Sequence, residues 1–144
     1  MRELHTEIEI NANPETVWRI ITDFENYREW NPFIRRIVGQ AKQGSKIEVH
    51  IRTPAGKKRK YAPTITRVDV GHELRWIGKG WLLNGEHIFT IERLQEGNKV
   101  RFVHREVFGG PLSGFFGTSL DTDIRKGFEE MNKALKERAE LSNP

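Results

Sequence analysis

Glu86-His87-Ile88-Phe89-Thr90-Ile91 and Val100-Arg101-Phe102-Val103-His104-Arg105-Glu106-Val107-Phe108 are the two stretches that decide how this chain folds. His87, Phe89 and Ile91 share one parity in the first, and Val100, Phe102, His104, Glu106 and Phe108 share one in the second. Successive residues of a strand point to opposite faces of a sheet, so each set falls on a single face. That face is mostly apolar yet carries two imidazoles and a carboxylate, each of which needs a partner once buried. The pattern predicts the wall of a cavity rather than a solid core.

The turn near Gly97 joins the two stretches as an antiparallel hairpin. Pairing across it places His87 opposite a position between 106 and 108, and His104 opposite one between 89 and 91. His87, His104 and Glu106 are therefore expected to converge.

Outward from this hairpin the period of two runs back to Ile34. Strands are predicted over 34–40, 45–52, 58–69, 72–79, 84–95 and 98–108, broken by glycine- or proline-containing connectors such as Thr53-Pro54-Ala55-Gly56 and Val70-Gly71. Short connectors at even spacing describe an antiparallel meander. Within 58–69, Pro63 cannot donate to a ladder and implies an edge or a bulge.

Nearer the start, Leu4, Ile8 and Ile10 alternate with Glu3, Glu7 and Glu9, which predicts a half-buried strand over 3–10. Asn13-Pro14-Glu15 then supplies a cap, a proline and an acid for the first turn of a short helix with Val17, Ile20, Ile21 and Phe24 on one stripe. A second short helix runs through Tyr27 to Trp30 and must end before Asn31-Pro32. Beyond Gly109-Gly110-Pro111, the spacing of Leu120, Ile124, Phe128, Met131 and Leu135 predicts one long C-terminal helix.

At 144 residues the chain fits one α+β domain spanning 1–144. It has no cysteine, which excludes disulfides, thiolate metal sites and cysteine nucleophiles. No stretch reaches the roughly 18 apolar residues of a membrane span, and the first residues lack the apolar core of a signal peptide, so a cytoplasmic protein is expected. The net charge of +4, with both signs interspersed, is too modest to argue for nucleic acid. Gly56-Lys57-Lys58-Arg59-Lys60 reads as a solvated hairpin end, with a patch for an anionic membrane or RNA surface as the sharper alternative. No phosphate-cradling loop and no Gly-x-Ser-x-Gly elbow is present, so nucleotide and serine-hydrolase chemistry fall away.

This order of elements, with Asn13-Pro14-Glu15-Thr16-Val17-Trp18, Tyr27-Arg28-Glu29-Trp30-Asn31-Pro32 and Gly127-Phe128-Glu129-Glu130-Met131-Asn132-Lys133-Ala134-Leu135-Lys136, resembles the SRPBCC superfamily. That helix-grip group includes lipid-transfer START domains, polyketide cyclase/dehydrase proteins and pollen-allergen-like ligand carriers. The resemblance spans essentially the whole chain and, around Gly85 to Phe89 and Phe102 to Gly110, is to the cyclase-like branch. It implies a seven-stranded antiparallel sheet curved around a long C-terminal helix, two short helices between the first two strands, and a hydrophobic cavity between sheet and helix. Co-chaperone-type members carry tryptophan pairs and a Gly-Pro after the second helix, whereas here a single Trp30 precedes Asn31-Pro32.

An imidazole with a pKa of about 6.5 can move a proton at neutral pH, so His87 or His104 could act as a base oriented by Glu106. The same trio equally suits ligand orientation or a structural cluster. No metal or other cofactor is expected, because His104-x-Glu106 arises freely from strand alternation and lacks the tight spacing of zinc motifs. Trp30, Phe33, Trp81, Phe115 and Phe116 come from loops and element ends and are expected at the cavity mouth. Trp76 and Phe128 read as core, and with Phe89, Phe102, Phe108 and Ile124 they complete the set expected to touch a ligand. The expected function is binding of a hydrophobic or aromatic small molecule. The alternatives are a polyketide cyclase/dehydratase-type enzyme in the same cavity, or a protein- or membrane-surface interaction module.

Overall fold

The computed structural model describes residues 2–79, 84–95, 97–109 and 118–142. Strand β1 (Arg2–Ile10) buries Leu4, Thr6 and Ile10 on one parity, with Ile8 partly buried beside them. Helix α1 (Pro14–Thr22) begins where the Asn13 side chain accepts the Thr16 N–H at 2.8 Å, with Pro14 in the first turn. Its stripe of Val17, Ile20 and Ile21 is buried. A 3-10 turn over Phe24–Asn26 leads into α2 (Tyr27–Trp30), and the Tyr27 hydroxyl donates to the Ile21 carbonyl, which ties the two helices together. Asn31 leaves α2 in extended backbone, as the following proline requires. Its side-chain oxygen accepts the Phe33 and Ile34 N–H groups at 2.9 and 2.8 Å and so sets the entry to the next strand.

The meander corrects the sequence-based expectation of one seven-stranded sheet: among the described residues there are eight strands in two sheets. Strands β2 (Ile34–Val38), β3 (Glu48–Arg52) and β4 (Lys58–Tyr61) form a three-stranded sheet. Strands β5 (Thr64–Asp69), β6 (Glu73–Lys79), β7 (Asn84–Arg93) and β8 (Val100–Gly109) join β1 in a five-stranded sheet of order β1-β8-β7-β6-β5.

The division falls inside the predicted strand 58–69. Pro63 has no N–H to continue the ladder, and its carbonyl accepts the Ile47 N–H at 2.9 Å instead. The seam stays bonded, because Gly44 N–H donates to the Ile65 carbonyl and Ile65 N–H to the Ser45 carbonyl, both at 2.8 Å. Strand β2 ends before 40 for a related reason. Gly39 has φ of +129°, and a Cβ there would lie 2.7 Å from Ile47 Cγ2.

Helix α3 (Thr118–Ser142) lies over β1 and against α1, and buries Phe128, Met131, Leu135 and Ala139. Gly127 permits its close approach, since a Cβ at that position would stand 2.4 Å from the Phe33 ring. Among the described residues no helix is long and apolar enough to cross a membrane.

Candidate functional site

Register brings the predicted trio together. His87 on β7 pairs with Glu106 on β8, and Phe89 pairs with His104, at the near end of the expected range. His87 and His104 are 2 % and 0 % exposed, and their Nε2 atoms lie 2.7 Å apart. Aromatic rings enclose them. Phe128 stacks on His104 with centroids 3.9 Å apart, and Trp76 stacks on His87 at 5.2 Å.

Two residues absent from the predicted site decide where the protons sit. Thr6 lies opposite His104 in the β1–β8 register, and its hydroxyl donates to the His104 carbonyl at 3.0 Å. The Thr6 oxygen is thus free to accept from Asn132 Nδ2 at 2.9 Å, which turns the Asn132 carbonyl oxygen toward His104 Nδ1, also at 2.9 Å. A carbonyl can only accept, so His104 Nδ1 carries the hydrogen. Burial pushes the His104 pKa down to about 3, which keeps the ring neutral and its Nε2 bare.

His87 Nε2 must then be the donor between the two rings. Burial, and the neighbouring His104, hold His87 well below the usual histidine range, so His87 is neutral too and its Nδ1 is a bare lone pair. That nitrogen is buried without a hydrogen-bond partner among the described residues, and Glu106 Oε1 stands 3.7 Å away. The Glu106 side chain is 18 % exposed. Burial raises its pKa to about 7, opposed by the Arg59 guanidinium. Burial, with the Glu106 charge adding to it, also pushes the nearby Tyr61 hydroxyl up.

The chain of bonds from Thr6 through Asn132, His104 and His87 therefore closes at its helix end and opens at Glu106. Glu106 is the member that titrates near neutrality, and His87 Nδ1 is the acceptor beside it. Gly85 makes room for this carboxyl, since a Cβ there would meet Glu106 Oε2 at 2.6 Å.

The remaining candidates divide. Phe89 stacks on Phe102 at 5.6 Å and meets Trp76 edge-on at 5.3 Å, so these three line the inner face of the sheet beside the histidines. Phe108 is buried at the Glu106 end, and Ile124 is half-buried on α3. Phe33 is 2 % exposed, with its ring 5.5 Å from Phe128, and so packs under α3. Trp30 is partly buried, with its ring 5.2 Å from that of Tyr27. Trp81, Phe115 and Phe116 lie outside the described residues. Among the described residues no group of three or more His, Asp or Glu is placed to hold a metal ion.

Sequence signals for the two missed residues existed. Thr6 is the polar interruption of an apolar parity, and Asn132 follows Phe128 by four on the buried stripe of the helix.

Residues 1–140 match the profile of a family described as polyketide cyclase / dehydrase and lipid transport. No curated protein matches the chain. Among solved structures, a START superfamily protein from Mycobacterium smegmatis superposes with a TM-score of 0.78 at 19% identity, covering 98% of this chain and 99% of the other. A Thermus thermophilus protein gives 0.77 at 20% identity over 99% and 100% of the two chains. A hypothetical protein from Helicobacter pylori gives 0.77 at 14% identity over 96% and 88%. At these identities the likeness establishes the fold.

Proposed function

The chain belongs to the polyketide cyclase / dehydrase and lipid transport family, and on that premise we propose that it binds a hydrophobic or aromatic small molecule, of lipid, isoprenoid or polyketide-like character, between the five-stranded sheet and α3. The observation that carries this reading is the open end of the buried network. A purely structural cluster closes on itself, whereas this one ends on a bare imidazole nitrogen and a half-buried carboxyl at the margin of an aromatic face. The aromatic rings supply affinity, and Glu106 orients a polar group of the ligand. Mass spectrometry of natively purified protein is expected to release an apolar molecule. Protein that carries none, and that fails to bind the uncharged fluorophore N-phenyl-1-naphthylamine, would contradict the reading.

A second reading, a cyclase- or dehydratase-type enzyme, is favoured by one observation: Glu106 has a pKa of about 7 beside an acceptor nitrogen. In that reading Glu106 takes an acidic methylene proton, while the neutral histidines with Asn132 hold the acceptor in place. Glu106→Gln would then keep ligand binding and abolish turnover. Loss of binding in that variant would favour simple orientation of the ligand.

A further inference from the structure

The outer face of the three-stranded sheet sets like charges against each other. Its register aligns Arg36, His50 and Lys60 in one cross-strand row and places Arg52 opposite Lys58 in the next. Directly opposed side chains have Cβ atoms roughly 4.5–5.5 Å apart, and like charges at that spacing cost stability. Glu48 relieves one end of the first row, with His50 at 2.8 Å and Lys60 at 3.7 Å. Arg36, Arg52 and Lys58 have no carboxylate partner among the described residues. A groove of about 440 Å³ runs along this face, lined by Arg35, Arg36, His50, Arg52, Lys58 and Lys60, with Ile51 and Arg59 contributing to it.

Such crowding is not forced by strand alternation. On the five-stranded sheet Arg101 lies within 3.8 Å of Glu7, Glu9 and Glu92, and Arg105 binds Glu3 at 2.8 Å. The basic hairpin is also held in place, since the Ala55 N–H donates to Asp123 at the start of α3 at 2.9 Å. A fixed face that leaves Arg36, Arg52 and Lys58 without carboxylate partners among the described residues is one that anions from outside can complete.

We propose that this groove docks the protein on an anionic phospholipid surface, with headgroup phosphates standing between the two cationic rows. A bilayer fits better than single-stranded nucleic acid, because among the described residues no phenylalanine, tyrosine or tryptophan lines the groove, and its one ring, His50, is tied to Glu48 rather than free for bases to stack on. The position of the groove agrees. Arg59 lies between Lys58 and Lys60 but has the opposite parity, and its charge acts on Glu106. The docking face therefore adjoins the proposed ligand site, which suits passage of an apolar molecule between bilayer and protein. That last step rests on the ligand reading above, and the docking itself does not.

Co-sedimentation with phospholipid vesicles tests the proposal. The protein is expected to sediment with phosphatidylglycerol-containing vesicles, to stay in solution with pure phosphatidylcholine, and to be released by salt. The double variant Lys58→Glu, Lys60→Glu should weaken binding by at least about thirtyfold, since each basic residue lost from an anionic surface costs roughly fivefold and the new carboxylates add repulsion to that. The charge-matched variant Lys126→Glu, Lys133→Glu on the exposed side of α3 should remain within about threefold of the parent. Circular dichroism checks that both variants fold. Three outcomes overturn the proposal: no sedimentation with anionic vesicles at low salt, equal loss in both variants, or capture of RNA in preference to vesicles through the same residues. Binding of N-phenyl-1-naphthylamine by the groove variant reports on the ligand reading separately, so the two can fail independently.

Discussion

On the outer face of the five-stranded sheet Arg101 stands among Glu7, Glu9 and Glu92, whereas on the outer face of the three-stranded sheet Lys58 faces Arg52 and Lys60 shares a row with His50 and Arg36. Both sheets come from the same alternating pattern, with apolar residues inward and charges outward. The first answers its charges internally, and on its inner side it also answers most of a buried polar network. The second answers His50 and Lys60 through Glu48 and leaves Arg36, Arg52 and Lys58 to the solvent or to a partner. Alternation decides which face a charge occupies, and register decides what it meets there.

Asn132→Leu attacks the satisfied side most directly. It strips the acceptor from His104 Nδ1–H and the donor from Thr6 while keeping a similar volume. The expected loss is roughly 3–4 kcal/mol in urea unfolding, because two buried polar groups lose their partner. A loss under about 1 kcal/mol would mean that the network is not holding the histidines.

The open end of the same network is reached through pH. Glu106 binds its proton more tightly in the folded state, with a pKa of about 7 against the usual 4.5. Its contribution to stability is therefore complete below 4.5 and is lost as the pH rises through 7. His87 and His104, both held below the usual 6.5, act in the opposite sense and cost stability as the pH falls below that value. Stability of the parent relative to Glu106→Gln should accordingly fall by about 3 kcal/mol across the carboxyl's window. A flat difference would place the carboxyl in water.

Gly127→Ala tests where α3 closes on the root of the three-stranded sheet. In an exposed helix this change gains up to about 1 kcal/mol, but here the new methyl meets the buried Phe33 ring. A net loss of about 1–2 kcal/mol is expected, read as a lowered denaturant midpoint.

The smallest effects test the contrast between the sheets itself. Arg101→Glu should cost about 1 kcal/mol, since it adds a fourth carboxylate to three. Lys58→Glu should gain about 0.5 kcal/mol by pairing with Arg52. Thermal unfolding at low salt measures both, and the same sign for the two would remove the distinction.

Much of this was legible along the chain. The convergence of His87, His104 and Glu106 followed from parity and one turn, and the cap at Asn13 and the break at Asn31-Pro32 formed as their local chemistry requires. Pro63 announced an irregularity, yet the corner that it makes also depends on Ile47 and Ser45 reaching across to Pro63 and Ile65. Phe33, at the end of a helix and ahead of a strand, read as a mouth residue because its burial under Gly127 is a long-range contact.

Sequence by itself determined the alternation, the caps and the breaks, because these follow from sterics and hydrogen bonds within a few residues. Only the tertiary structure decided which charges oppose one another, which nitrogen carries each proton and which carboxyl titrates near neutrality. Those depend on desolvation and on through-space distance between groups such as Thr6 and Asn132, 126 residues apart in the chain and one hydrogen bond apart in the fold.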